Sequence, residues 1–154
     1  MLREAINNSM KESMKSGDKR RVGTLRLVNS AFKNADIEAR GQGKNPLSDE
    51  ELHGVLQKMV KQRQESLEIY EKAGRDELAT QEREEIEILN SYLPKQMSDL
   101  EAGAEIAAIV REINAQSLKD MGRIMTALKE RFSGKMDFAK ASAKVKELLS
   151  GPPS

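Results

Sequence analysis

Few side chains in this sequence are equipped for covalent chemistry. The chain has no cysteine and one histidine, His53, which excludes a thiol nucleophile, a thiolate zinc site and a multi-histidine metal centre. A Ser-His-Asp arrangement would have to be built around His53, yet no serine or carboxylate is placed by sequence as its partner. Glu82, Glu84, Glu85 and Glu87 are rich enough in carboxylate for acid–base work, but they read as one polar helix face with no cause for a perturbed pKa. Gly41-Gln42-Gly43-Lys44 lacks both the four-residue spacer and the Ser/Thr after lysine that a phosphate-binding loop uses to hold Mg²⁺. No catalytic residue, metal ligand or cofactor is therefore expected.

The remaining chemistry is that of cations. Lys140 and Lys144 stand one helical turn apart, away from the apolar positions Ala141, Val145 and Leu148; Lys119 and Arg123 repeat the spacing, and Lys135 lies at the turn between the two segments. Such a set, beside the amide-rich start of a helix, can meet several phosphates of a folded RNA by shape rather than by base identity. With 3% aromatic residues and no tryptophan, the chain has few platforms for stacking bases. The simpler alternative is a solvated basic surface.

The elements that must position these residues are helices. A composition of 38% hydrophobic, 33% charged and four prolines in 154 residues favours an all-α fold with a core of Leu, Ile, Val, Met and Ala. Leu2, Ile6, Met10 and Met14 form a first stripe that stops at Ser16-Gly17. Asp18 caps a second helix with Val22, Leu25, Val28, Phe32 and Ala35 inward, fading at GQGKNPL. Ser48 to Glu51 reads as a capping box for a third helix with Leu52, Leu56, Met59, Val60, Leu67 and Tyr70 inward, closed by Gly74. A fourth, acidic helix turns Leu78, Ile86, Leu89 and Leu93 inward and its glutamates outward, and Pro94 closes it.

The domain boundary is therefore expected at Leu93 to Gln96: an N-terminal helical domain over 1–94, a three-helix bundle over 95–150, and a frayed GPPS tail at 151–154. In the bundle a second capping box, Ser98 to Glu101, opens a helix carrying Ile106, Ile109, Val110 and Ile113. Met121, Ile124, Met125, Leu128 and Phe132 line the next, Ser133-Gly134 breaks it, and Asp137 caps the last, which carries Ala141, Val145, Leu148 and Leu149. The eight methionines read as core filler.

Net charge is only +1, but the sign alternates along the chain: +5 from Arg3 to Lys33, −6 from Glu65 to Glu87, and +4 from Lys119 to Glu147. Absent cysteine, the lack of an apolar h-region at the N-terminus and the lack of a membrane-spanning stretch lead to the expectation of a soluble cytoplasmic protein.

Three strings, KRRVGTLRLVNSAFKNADI, LQKMVKQRQESLEIYEKAGRDELATQEREEIEILNSYLPKQMS and KDMGRIMTALKERF, cover most of the chain, which resembles the YqeY family. From about Met97 onward, through Asp120-Met121-Gly122 and the Ser133-Gly134-Lys135 turn, it is also similar to the tail of the GatB subunit of the glutamine-dependent aminoacyl-tRNA amidotransferase. That resemblance implies an α-helical two-domain fold and a tRNA-binding-like module, with Lys119, Arg123, Lys135, Lys140 and Lys144 as phosphate contacts. Asp120, Gly122, Gly134 and Asp137 would be structural positions, Gly122 permitting close helix packing. Two departures stand out: Thr126 replaces a second glycine, and Met136-Asp137-Phe138 replaces the small Ala-Asp-Gly or Ala-Asn-Pro after the turn.

Families like this carry the label of carbon–nitrogen ligase with glutamine as amido donor, but the catalytic cradle and the glycine- and serine-rich amidase signature are absent from this sequence. The expected function is an accessory that holds the tRNA backbone without autonomous catalysis, alone or docked on an amidotransferase or another translation protein. The rivals are a protein-interaction adaptor without RNA, and a ligase that acts only with a partner enzyme.

Overall fold

The computed structural model describes residues 1–44 and 46–150. Among the described residues there are seven α-helices, one short 3-10 helix and no strand: α1 (Leu2–Ser16), α2 (Lys19–Gly41), α3 (Asp49–Lys72), α4 (Asp76–Asn90), α5 (Asp99–Ile113), the 3-10 turn Leu118–Asp120, α6 (Met121–Phe132) and α7 (Phe138–Leu149). They form two compact units, Met1–Pro94 and a second beginning at Lys95. The GPPS tail lies outside the described residues. No described helix is long and apolar enough to cross a membrane.

The helix ends follow local chemistry. Asp18 accepts a hydrogen bond from the Arg21 amide at 3.1 Å, and Ser48/Glu51 and Ser98/Glu101 each form a reciprocal capping box. Gly17 and Gly74 take the positive φ values of 79° and 69° that end α1 and α3.

In the first unit α1 packs on α2, and α3 and α4 form the most extensive helix pair. Leu2, Ile6, Leu25, Val28, Phe32, Leu52, Leu56, Met59, Val60 and Leu89 share one core, each large apolar side chain contributing about 1.5–3 kcal/mol of burial. The α1 stripe is corrected at its end: Met14 is 55% exposed and Ser13 is buried. A four-residue repeat drifts about 40° per step on a helix of 3.6 residues per turn, so Met14 has rotated about 120° away from Leu2. Ser13, three turns after Leu2, returns to the core side, and its hydroxyl donates to the Ser9 carbonyl at 2.7 Å.

In the second unit α5, α6 and α7 all touch one another around Ile106, Ile109, Ile124, Leu128, Met136, Ala141 and Val145. In the last turn of α7 Leu149 packs against this core, whereas Leu148 is 43% exposed. Met136, one of the departures from the family pattern, is a core residue. Methionine is not uniformly filler: Met59 and Met136 are buried, and Met1 and Met14 face solvent.

Candidate functional site

The basic residues of the second unit all reach the surface. Lys119, Arg123, Lys135, Lys140 and Lys144 are exposed, but they do not form one cluster. Lys119 lies in the 3-10 turn before α6, Arg123 in the first turn of α6, and Lys135 after its end, the helix itself spanning about 18 Å over its twelve residues. Lys140 and Lys144 occupy adjacent turns of α7, with Ala141 and Val145 buried on its other side. Two of the five have protein partners. The Arg123 guanidinium donates to the Ile113 carbonyl at 3.1 Å and lies 3.9 Å from Asp120, and Lys140 lies 3.9 Å from Asp99.

The turn that presents Lys135 is built from the chain entering α5. Gln96 Nε2 donates to the Gly134 carbonyl at 2.6 Å, and the Met97 amide donates to the Lys135 carbonyl at 2.8 Å. Gly134 is buried with φ 76°, a conformation that costs an L side chain strain. Asp120 accepts from the Gln116 and Ser117 amides at 3.0 and 3.4 Å, and those bonds, followed by the nearby Arg123 charge, hold its carboxyl below the usual range.

Two expectations are corrected here. Asp137 caps α7 and accepts from the Ala139 and Lys140 amides, so that helix start already has its anion and does not present those two amides to a phosphate. Gly122 is exposed, and a Cβ built on it meets nothing within 4 Å, so it permits no close helix approach. Thr126 donates its hydroxyl back to the Gly122 carbonyl at 2.9 Å.

In the first unit, His53 is half-buried on α3. The loop after α2 spends its amides on closing that helix: Gln42, Gly43 and Lys44 donate to the Ala39, Arg40 and Ala39 carbonyls respectively. No group of three or more metal-binding side chains gathers among the described residues.

The glutamates of α4 are the largest correction. Glu85 is buried, not solvated: Arg63 Nε of α3 donates to its Oε2 at 2.9 Å and Gln81 to its Oε1 at 3.2 Å, while Arg63 Nη1 reaches the Met59 carbonyl at 3.1 Å. One turn away, Glu82 Oε2 is buried without a hydrogen-bond partner. Burial, and then the Glu85 charge, raise the Glu82 pKa against the opposing pull of Arg63. The signal was in the spacing. Leu78, Glu82, Glu85 and Leu89 stand at i, i+4, i+7 and i+11, so the two glutamates share the bearing of the apolar stripe.

Comparison with known proteins finds relatives and a matching family model. The chain is 31% identical over 110 residues to altered inheritance of mitochondria protein 41 of Lachancea thermotolerans, spanning 70% of this chain and 57% of the relative. It is 33% identical over 88 residues to the protein of the same name in Candida glabrata, spanning 57% and 47%. An uncharacterized protein of Schizosaccharomyces pombe is 31% identical over 100 residues, spanning 64% and 77%. The chain spans about half the length of the first two relatives. Both are named as mitochondrial, which overturns the expectation of a cytoplasmic location. The residue features behind that expectation do not separate the two compartments, since a reducing interior accounts for absent cysteine in either. The family model described as Yqey-like protein matches residues 3–149, and the chain belongs to the YqeY family.

Proposed function

We propose that this protein is a noncatalytic accessory whose second unit holds the phosphate backbone of a tRNA, in the manner implied by its resemblance to the tail of the amidotransferase subunit. The observation that carries the reading is α7: Lys140 and Lys144 are exposed on successive turns of a helix whose opposite side, Ala141 and Val145, is fixed in the core. A rigid helix presents two cations at a set spacing, which is what backbone contact without base readout requires. Lys135 extends the set from a turn pinned by Gln96 and Met97. Lys119 adds a further charge near the other end of α6, while Arg123, tied to Asp120 and the Ile113 carbonyl, and Lys140, 3.9 Å from the exposed Asp99, would each exchange a carboxylate for a phosphate. An amidotransferase, or another protein of translation, would supply any chemistry. The relatives' printed names support a mitochondrial setting for the role.

The test is a fluorescence-anisotropy titration with labelled bulk tRNA at low and near-physiological salt, using a DNA duplex of equal charge as comparator. The reading expects tighter binding to tRNA, and Lys140→Glu with Lys144→Glu should weaken it uniformly across tRNAs and lower the salt slope by about 1–2. Unchanged affinity and slope in the double variant would remove α7 from the interface. Capture of a partner protein that survives ribonuclease, together with no tRNA binding even at low salt, would replace the reading with a protein adaptor.

A further inference from the structure

The first unit holds a cleft that the RNA reading does not use. It has a volume of about 320 Å³ and lies between α1 and α2, at the small end of the range for ligand sites. Asn29, Lys33, Asp36, Ile37 and Arg40 form one stripe of α2, and Arg3 and Asn7, one turn apart, face it from α1. Two polar rungs join the helices. Arg3 donates from both terminal nitrogens to Asp36 at 2.7 and 2.8 Å, and Asn29 Nδ2 donates to Asn7 Oδ1 at 3.2 Å.

Lys33 stands between these rungs on α2 and Arg40 one turn beyond them, and among the described residues neither side chain forms a hydrogen bond or a contact ion pair, the Arg40 charge acting on Asp36 only through space. Asp36 is committed by contact to Arg3 and to the Leu47 amide at 3.2 Å, so it offsets Arg40 only weakly and through space, as the last and smallest of the influences on its carboxyl. The ionisable lining, Arg3, Lys33 and Arg40 against Asp36, carries a formal +2. Phe32 and Ile37 supply an apolar side, Ile37 being 54% exposed.

We propose that this cleft binds a small molecule carrying a phosphate monoester, its dianion held by Lys33 and Arg40 with the Asn7 carboxamide as neutral donor and its organic part against Ile37. Two unpaired cations match a dianion; a backbone phosphodiester brings only one charge to a cleft of this size. The inference is independent of the tRNA reading, since none of these residues belongs to the second unit.

The experiment is a titration of the full ¹⁵N-labelled chain, in phosphate-free buffer at low salt, with glycerol 3-phosphate and separately with dimethyl phosphate. The side-chain amide signals of Asn7 and Asn29 and the backbone amides of α1 and α2 are followed by two-dimensional NMR. Saturable shifts confined to these signals are expected with the monoester, and binding about tenfold weaker with the diester. Lys33→Ala, an exposed substitution that leaves both rungs intact, should weaken monoester binding about tenfold, and Lys72→Ala on the distal end of α3 should leave it unchanged. Shifts scattered over lysines of both units, equal weakening by the two variants, equal affinity for the diester, or no saturable shift at all would each overturn the proposal.

Discussion

Replacing Arg63 by methionine tests the account of the α3–α4 pair most directly. The Arg63 and Glu85 side chains are 15% and 10% exposed, so their ion pair sits where water does not replace a lost partner. Removing Arg63 leaves the Glu85 carboxylate with Gln81 alone, and breaking a buried pair from one side costs about 3–5 kcal/mol. A unit of this size is stable by roughly 5–14 kcal/mol, so the variant should lose a large part of its margin, about 2 M in urea midpoint for a slope near 1.5–2 kcal/mol per M. Both tyrosines, Tyr70 and Tyr92, lie in the first unit. Tyrosine fluorescence during urea unfolding therefore reports that unit without interference from the second.

The double replacement Arg63→Met with Glu85→Leu removes both charges and should recover to within about 1 kcal/mol of the parent, because an apolar pair of similar volume needs no desolvation. The single variant should also lose stability more steeply with rising pH. Glu82 is held protonated more readily in the fold than in the unfolded chain, and Arg63 is the group that opposes this. With a raised folded pKa, the folded state binds more protons in the window between the unfolded and folded values, so stability falls as pH rises through it. A single variant within about 0.5 kcal/mol of the parent, or a double no better than the single, would refute the reasoning.

Other outcomes follow from the same geometry. Asp36, held below its usual range by its hydrogen bonds with Arg3 despite partial burial, contributes stability that is present above the unfolded carboxylate pKa of about 3.9 and is lost as pH falls through the lower folded value. Asp36→Asn should therefore flatten the acid limb of a pH-dependent thermal melt and cost about 1 kcal/mol near neutrality, the Arg3 side being partly exposed. Asp137→Ala should lower the stability of α7 by about 1 kcal/mol, read as faster hydrogen exchange of the α7 amides. Gly122→Ala and Gly134→Ala should differ in sign: the first is neutral or gains up to about 1 kcal/mol in an open helical position, whereas the second, at φ 76°, loses about 1 kcal/mol or more. Equal effects on the thermal midpoint would contradict the conformations assigned to the two glycines.

Helix existence and helix ends were legible because both depend on neighbours in sequence. Asp18, Ser48, Ser98 and Asp137 bind amides two or three residues ahead, and the glycines that close α1 and α3 need only a backbone state. Face assignments failed where a fixed spacing was followed beyond its range. The i, i+4 ladder over Leu2, Ile6, Met10 and Met14 drifts off the core by its fourth member, while Ser13, three turns from Leu2, was passed over because its side chain is polar. Leu148 failed differently. Its bearing is correct, yet the core takes Leu149 in that final turn, which no periodicity reveals.

The basic surface was legible in kind and not in arrangement. A lysine about 100° around the helix from a narrow apolar stripe faces solvent, so Lys140 and Lys144, each directly before the buried Ala141 and Val145, were identifiable from α7 alone. Whether five such residues meet depends on contacts far apart in sequence. Gln96 meets Gly134 across 38 residues, and Arg123 is turned back on the Ile113 carbonyl across 10. The same blindness hid the buried charges. Glu85 carries the same formal charge as Glu84, but Glu84 pairs with Arg20 of α2 at a site where both side chains are more than a third exposed, whereas Glu85 points at Arg63 inside the α3–α4 contact. The sign alternation along the chain is thus partly consumed within the first unit, where basic α2 and acidic α4 pack together. The second unit also has cross-element pairs, at Arg131–Glu112 and Lys140–Asp99. The distinction that matters for a phosphate ligand is therefore between cations already committed to a carboxylate and cations still free to exchange water for an anion, and only the fold separates the two.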